Sequence, residues 1–272
     1  MKKPLSEQFP RVLDRAYWQY KKYGRVSEIM TPDPFTVKPE ATMAQAGKIM
    51  GNKKIGSLLV EEHGKTVGIV AERDLLTKII ARKKNPSDVK VKEVSSTNLV
   101  TINPAATIKM AARTMIREKG KLLIMSEGRA EGIITASDLI RTLPEHAESA
   151  LTVEDFMTKP VTIVDENVTV EEAAVRMGKG RIGSLLVAEK GTPIGIFTER
   201  DFLTKILAKG QSSKTQLRRV LSRPLKTIPV RTTIHNVARK MARGKVRRLP
   251  VVEKGKILGI VTARDLVEAY AR

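Results

Sequence analysis

Four aspartates in this chain each end a short motif that recurs at nearly constant spacing. Asp74, Asp138, Asp201 and Asp265 close segments of the form Gly-h-h-x-x-x-Asp, where h is apolar, and successive leading glycines are 64, 63 and 64 residues apart. Such an aspartate opens a helix, where its carboxylate can accept hydrogen bonds and the first helical N–H groups can meet an anion. The simpler interpretation is that each aspartate only caps its helix.

The sequence holds little that could perform covalent or metal chemistry. There is no cysteine, and the three histidines, at positions 63, 146 and 235, are far apart in the sequence. Acidic pairs such as Glu199 and Asp201 have no nucleophile or metal-ligand companions. There is no phosphate-binding Gly-rich loop and no Gly-x-Ser-x-Gly segment. We therefore expect no catalytic residues, no metal site and no enzymatic activity.

The aspartate motif belongs to an internal repeat with a second, longer period. The segment 55–60, Ile-Gly-Ser-Leu-Leu-Val, returns at 182–187, which is 127 positions later. The chain therefore contains four units in an A-B-A′-B′ order. We predict a basic, aromatic N-terminal segment (1–25), a first pair (26–150) and a second pair (151–272). The unit limits are 26–88, 89–150, 151–213 and 214–272.

Each unit follows the same order of predicted elements. A short strand such as 161–163 precedes an amphipathic helix, in which Val170, Ala173, Ala174 and Met177 share one face. Two strands joined by a Gly-containing turn follow, and a second helix opens at the motif aspartate. This βαββα order predicts an α/β (α+β) fold.

The bulk composition fits an intracellular, cytoplasmic protein. Apolar residues make up 41% of the chain, but no run approaches the ~18 residues that cross a membrane. The N-terminus has no apolar stretch typical of a secretory leader. We expect no membrane partner.

The repeated segments resemble cystathionine β-synthase (CBS) domains. The resemblance rests on the Gly-h-h-Thr-x-x-Asp endings, the Ile-Gly-Ser-Leu-Leu-Val strand, residues 247–252 (Arg-Arg-Leu-Pro-Val-Val) and the leading segments at 26–32 and 153–160. It covers residues 26–272 and is closest to stand-alone, archaeal-like members. It implies four βαββα units paired into two pseudo-twofold tandem modules, and a homodimer through these modules is one arrangement it allows.

The resemblance also implies ligand clefts that can take AMP, ADP, ATP or S-adenosylmethionine, although no cofactor is required. The family pattern maps onto these ligand-binding residues: Thr198, Arg200, Asp201, Thr262, Arg264, Asp265, Thr135, Asp138 and Asp74. Three departures stand out. Ala71 replaces the threonine of the first unit, and Ser137 replaces the basic residue of the second. In the second unit, the segment 121–125, which begins with Lys121, stands where a strand with Gly-Ser or Leu-Pro is expected. The first pair therefore looks degraded and the second pair complete.

Positive charge is concentrated at the two ends of the chain. The net charge is +21, and residues 214–272 carry 16 basic against 3 acidic residues. The helix 234–243 keeps the buried pattern of its counterpart in the third unit, while its other face becomes cationic. Such a surface predicts a polyanionic partner. The predicted nucleic-acid-binding residues are Lys214, Arg218, Arg219, Arg223, Lys226, Arg231, Arg239, Lys240, Arg243, Lys245, Arg247, Arg248, Arg11, Arg15, Trp18, Lys21, Lys22 and Arg25.

The N-terminal segment interleaves aromatic and basic residues. Residues 9–23 hold five of the ten aromatic side chains of the chain. Aromatic and basic groups together can stack on bases and neutralise phosphates. Packing of a short aromatic helix against the modules explains the same pattern equally well.

Two functions remain open from the sequence. The first is a regulator that binds RNA, foremost ribosomal RNA and ribosomal subunits, as a translation-inhibiting or hibernation factor tuned by adenine nucleotides. The alternative is a stand-alone adenylate or S-adenosylmethionine sensor that regulates a partner enzyme, or a DNA-binding CBS protein. RNA is favoured over DNA because no helix-turn-helix or zinc finger is visible.

Overall fold

Four three-stranded sheets and their helices form the parts of the chain that the computed structural model describes, residues 24–142 and 151–272. The predicted α/β class and the four hairpins are confirmed. The first pair of units contains these elements: α1 Val26–Ile29, β1 Thr31–Pro32, β2 Thr36–Val37, α2 Met43–Lys53, β3 Ser57–Glu62, β4 Lys65–Ala71, α3 (Glu72–Asp74, π-helical Leu75–Ile79 and 3₁₀ Ile80–Arg82), α4 Val91–Val94, α5 Ile108–Arg117, β5 Leu122–Ser126, β6 Arg129–Ile134 and α6 Ala136–Arg141.

The second pair repeats this order. It contains these elements: a 3₁₀ turn Val153–Asp155, β7 Ile163–Asp165, α7 Val170–Gly180, β8 Ser184–Glu189, β9 Thr192–Thr198, α8 (Glu199–Asp201 and π-helical Phe202–Leu207), a 3₁₀ turn Leu217–Arg219, β10 Ile228–Pro229, α9 Ile234–Gly244, β11 Arg248–Glu253, β12 Lys256–Thr262 and α10 Ala263–Ala271.

The first long helix of every unit begins after a threonine. The hydroxyls of Thr42, Thr107, Thr169 and Thr233 each accept the backbone N–H three residues later, which satisfies one of the free donors at the helix start. The apolar positions at i, i+3, i+4 and i+7 are buried in each helix. Local sequence therefore determines both the start and the inward face of these helices.

The leading segment of each unit packs on the sheet of its neighbour. Strand β1 pairs antiparallel with β6 of the second unit, and Ser96 returns to pair with Ile69 of the first. The second pair repeats the exchange through Thr158 with Ile260 and Ser222 with Ile196. This reciprocal exchange joins the units into two pseudo-twofold modules, as the resemblance implied.

The two modules pack together through their helices within one chain. One continuous core combines the first and third units, where α2 contacts α8 and α7 contacts α3. A second core combines the second and fourth units through α5, α6, α9 and α10. A homodimer like the one expected would therefore need a different surface, because these helical faces are already buried inside the chain.

The described residues contain no helix that is both long and apolar enough to cross a bilayer. Over the same residues, no three His, Asp or Glu side chains come together as a group that could hold a metal ion.

Candidate functional site

The motif aspartates take part in capping their helices, as the simpler interpretation proposed, but from the third helical position: the N-cap itself is a threonine in the last three units and Ala71 in the first. In α8, the Oδ2 atom of Asp201 accepts hydrogen bonds from Thr198 N at 2.9 Å and Thr198 Oγ1 at 2.7 Å. Asp138 and Asp265 repeat both bonds with Thr135 and Thr262. Asp74 Oδ2 makes only the first of these two cap bonds, with the N–H of Ala71, because alanine has no hydroxyl. Capping uses one carboxylate oxygen and leaves the other for a second partner.

The other carboxylate oxygen of each motif aspartate, Oδ1, has a partner in the first three units but, among the described residues, not in the fourth. In the first three units a basic residue one turn later holds Oδ1: Lys78 at 2.8 Å, Arg141, and Lys205 at 2.8 Å. Ser222 also donates to Asp201 Oδ1 at 2.8 Å. For Asp265 no partner for Oδ1 occurs in the described part of the chain, and burial raises the pKa of this carboxyl. Asp265 therefore has the most open acceptor of the four.

A cavity of about 860 Å³ lies between the two modules, and residues of all four units line it. We call it the central cavity. We call each capping pair of a threonine and the aspartate three residues later a Thr-x-x-Asp corner. The Thr135–Asp138 corner of the first module and the Thr198–Asp201 corner of the second line the cavity. Seven basic and three acidic side chains line it, so it favours anions: Lys54, Lys121, Arg141, Arg200, Lys245, Arg247 and Arg248 against Asp33, Asp138 and Asp201.

Two buried glutamates hold the arginines at the centre. Glu72 Oε1 lies 2.6 Å from Arg247, and Glu72 Oε2 lies 3.6 Å from Arg200 Nε. Burial alone would raise the pKa of Glu72, but the charges of Arg247 and Arg200 hold it below its ordinary value. The second module repeats the arrangement around Glu199, which contacts Arg248 at 3.5 Å and Arg73 at 3.3 Å.

The Ile-Gly-Ser strands leave room for these ion pairs. A Cβ atom on Gly183 would lie 2.5 Å from an Arg248 nitrogen and 2.7 Å from Glu199 Oε2. At Gly56 it would lie 3.0 Å from Glu72 Oε1. The Ile-Gly-Ser motif of the first and third units is thus matched to the arginines that the fourth unit supplies.

Lys121 is a half-buried lysine in the wall of the central cavity. Its Nζ atom donates to the carbonyl of Gly56 at 3.2 Å. Burial lowers the pKa of Lys121 to about 8, against the attraction of Glu72. The departure that made the first pair look degraded therefore adds a basic group to the cavity, and Arg141 adds another.

The nine predicted ligand residues divide into two groups. Thr135, Asp138, Thr198, Arg200 and Asp201 line the central cavity. The remaining four, Asp74, Thr262, Arg264 and Asp265, do not line it. The expectation that the second pair holds the better site is therefore not matched by this cavity, which takes one corner from each pair.

Most of the predicted cationic surface is exposed. Lys214, Arg218, Arg219, Arg223, Lys226, Arg231, Arg239, Lys240, Arg243 and Lys245 all face solvent. None of these ten forms an ion pair with a carboxylate of the described residues. Arg25 is exposed as well, and its backbone bridges to Thr107. Arg11, Arg15, Trp18, Lys21 and Lys22 lie outside the described residues.

The predicted position of Arg247 and Arg248 needs correction. The sequence placed them on the nucleic-acid-binding surface, but both turn inward and pair with Glu72 and Glu199. Their side chains are 34% and 14% exposed, so they belong to the central cavity.

Sequence reasoning missed the central glutamates. A comparison of the four motif endings could have found them, because Glu72 and Glu199 occupy a position that holds Ala136 and Ala263 in the other two units. A position that is glutamate in the first and third units and alanine in the second and fourth indicates that the glutamates have basic partners which the alanine positions lack.

A family model for the CBS domain matches four segments of the chain, residues 26–81, 91–145, 153–208 and 217–272. The chain belongs to the CBS-domain family. Domains of this kind are typically regulatory, and no enzyme family is indicated by the match.

Several known proteins are similar to this CBS-domain chain over part or most of its length. The CBS domain-containing protein YhcV of Bacillus subtilis is 33% identical over 42% of this chain and 81% of its own length. An uncharacterized 33.4 kDa protein in a ribosomal RNA operon of Thermofilum pendens is 31% identical over 66% of this chain and 63% of its own. The crystal structure of MJ1225 from Methanocaldococcus jannaschii shares the fold, with a TM-score of 0.76 at 23% identity, covering 91% of this chain and all of the other.

Proposed function

We propose that this CBS-domain protein is a non-catalytic regulator that binds an adenosine ligand with phosphate groups in the central cavity. The observation that carries the proposal is one cavity reached by two Thr-x-x-Asp corners and lined by seven basic side chains. Its volume of about 860 Å³ lies within the range of small-molecule sites. The excess of cations favours AMP, ADP or ATP over S-adenosylmethionine, whose sulfonium is itself positive.

Isothermal titration calorimetry of the full chain with AMP, ADP, ATP, S-adenosylmethionine and adenosine tests this proposal. We expect the nucleotides to bind and the affinity to rise with phosphate charge. Arg200→Met should weaken ATP binding about ten-fold or more, since a charge-assisted bond contributes about 1.5–3 kcal/mol. Arg176→Met, on the exposed face of α7, is the control. If none of the five ligands binds, the proposal fails.

The absence of catalysis is part of the same proposal. ATP incubated with the protein should remain intact over hours by chromatography. Steady hydrolysis that survives repurification and is lost in Arg200→Met would instead make the cavity an active site.

A second candidate function is binding to RNA, with ribosomal RNA and ribosomal subunits in the cytoplasm as the foremost partners. In this form the protein would inhibit translation as a hibernation factor, and adenine nucleotides would adjust its binding. The ten exposed cations of residues 214–245 favour this function, because none forms an ion pair with a described carboxylate. Sucrose-gradient sedimentation at moderate salt provides the test. Failure to sediment with ribosomal particles would contradict the ribosomal form.

A further inference from the structure

A groove of about 450 Å³ lies on the outer side of α9 and shares the lining residue Val246 with the central cavity. Four basic side chains line it, Lys226, Arg239, Lys240 and Arg243, together with Asn236. No acidic residue of the described ranges lines it. We call it the cationic groove. Its floor is formed by Gly244, Val246 and Leu249 at the end of α9 and the start of β11.

A side-chain hydrogen bond, rather than an ion pair, links two parts of the groove. Lys240 Nζ donates to the carbonyl of Thr227 at 2.8 Å, which ties α9 to the connector that carries Lys226. All four cations are exposed, and none pairs with a carboxylate of the described residues. Like charges gathered in this way repel one another, so the arrangement does not favour the folded state of the free protein.

Helix α7 is an internal control for what the fold requires. It occupies the equivalent position in the third unit and buries the equivalent residues. Its solvent face carries Glu171 and Glu172, the second of which completes the cap at Thr169. Val175 stands where α9 has Arg239, and the helix still forms. The cations of α9 are therefore not needed to build this helix.

We propose that the cationic groove binds the phosphodiester backbone of single-stranded RNA. This proposal rests on the second candidate function and identifies its contact site. A concave groove of this volume admits a flexible strand more readily than the convex surface of a duplex. Asn236 adds an amide that can both donate to and accept from a ribose 2′-hydroxyl, the group that separates RNA from DNA.

The surroundings of the groove argue against a membrane surface as the partner. The large apolar side chains that are exposed in the described residues, Phe35, Val67, Met110, Leu151 and Ile163, all lie outside the fourth unit. Of the two large apolar lining residues, Leu249 is buried and Val246 is half-buried. Lipid binding by a basic surface usually adds apolar side chains that enter the acyl region.

Fluorescence anisotropy of the full chain with labelled oligonucleotides tests the groove. The probes are a 12-nucleotide single-stranded RNA, the same sequence as single-stranded DNA, and duplex DNA. Vesicles with anionic phospholipid are tested by co-sedimentation. The groove variant is Lys240→Glu/Arg243→Glu. The matched control is Arg176→Glu/Lys179→Glu, which makes the same charge change at the equivalent, exposed positions of α7.

We expect the groove variant to lose at least about ten-fold in RNA affinity and the control less than about three-fold. The slope of log affinity against log salt should fall by about 0.7 for each phosphate that the variant no longer neutralises. Thermal unfolding of both variants checks that they fold.

Equal losses in both variants, or tighter binding of duplex DNA or vesicles than of RNA, would overturn the groove proposal. Unchanged RNA binding in the groove variant would also overturn it and leave the second candidate function standing, whereas no RNA binding by the wild type removes both.

Discussion

At the scale of single residues, the glutamates behind the central arginines determine how the cavity keeps its charge. Glu72 and Glu199 neutralise part of the positive charge and fix the arginines in place. Both carboxylates are almost fully buried, so each depends on its arginine partners to remain ionised. Removing one of these arginines leaves a buried carboxylate without its partner, which destabilises the folded state.

Arg247→Met should destabilise the protein by about 2 kcal/mol. Breaking a buried ion pair costs about 3–5 kcal/mol, and the value here is lower because Arg247 is one third exposed and Arg200 remains near Glu72. Urea unfolding at neutral pH measures the change. The exposed Arg243→Met should stay within about 0.5 kcal/mol. If Arg247→Met/Glu72→Gln is no more stable than Arg247→Met, the unpaired carboxylate is not the cause.

Lys121 should make nucleotide binding depend on pH. Because burial lowers the pKa of Lys121 to about 8, its ammonium is present at pH 7 and is lost as the pH rises toward 9. The affinity for ATP should therefore fall over this interval with a midpoint of about 8, while adenosine, which has no phosphate, should show no such step. Calorimetry across pH 6.5–9.5 measures both ligands. A Lys121→Met variant that keeps the same step would contradict the assignment.

Residues that act within one helix turn were predictable from the sequence, whereas residues that act across the modules were not. The threonine–aspartate corners follow from a local spacing, and they cap α6, α8 and α10 as that spacing predicts. Arg247 was assigned to the surface because its partner Glu72 lies 175 positions away in the chain. No local pattern indicates such a pair.

At the scale of elements, two glycines allow the helices of the two modules to approach closely. A Cβ atom on Gly51 of α2 would lie 2.4 Å from the carbonyl oxygen of Leu203 in α8. A Cβ atom on Gly178 of α7 would lie 2.4 Å from that of Leu76 in α3. Both contacts involve backbone atoms, which cannot move aside as a flexible side chain can.

Gly178→Ala should destabilise the protein by about 1–3 kcal/mol, the usual cost of an overpacked interior. This is opposite to the effect of alanine in an isolated helix, where it is favoured over glycine by about 1 kcal/mol. Gly180→Ala lies two residues later in the same helix and meets nothing closer than 3.5 Å, so it should be neutral or slightly stabilising. Denaturant midpoints of the two variants provide the comparison. Equal effects would mean that helix propensity, not the contact with Leu76, determines the result.

The elements themselves were largely predictable because each has a local cause. Apolar periodicity and a threonine cap define α7 and α9, and a Gly-containing turn defines each hairpin. The exchange of leading segments was not predictable from these patterns. Pairing of Thr158 with Ile260 joins positions 102 residues apart, and its alternatives differ only in long-range packing.

At the scale of the whole molecule, the end of α9 separates the two proposed binding sites. Lys245, Arg247 and Arg248 face the central cavity, while Arg239 and Arg243 face the cationic groove. Val246 lines both. A ligand that neutralises the side chains facing the central cavity therefore lowers the positive potential on the groove side of this segment.

ATP should consequently weaken RNA binding about five-fold, at the lower end of the usual range for coupled sites. The direction follows from charge, because phosphates in the central cavity offset the cations of Arg247, Arg248 and Lys245 and reduce the positive potential that attracts RNA. Anisotropy titrations of RNA with and without saturating ATP measure the factor. Thermodynamic linkage requires that RNA weaken ATP binding by the same factor, which calorimetry in the presence of RNA checks independently.

The variant Lys240→Glu/Arg243→Glu should bind ATP normally. Because its groove no longer holds RNA, added RNA should leave its ATP affinity unchanged. If ATP binds and the RNA affinity stays unchanged, α9 does not connect the two sites and they act independently.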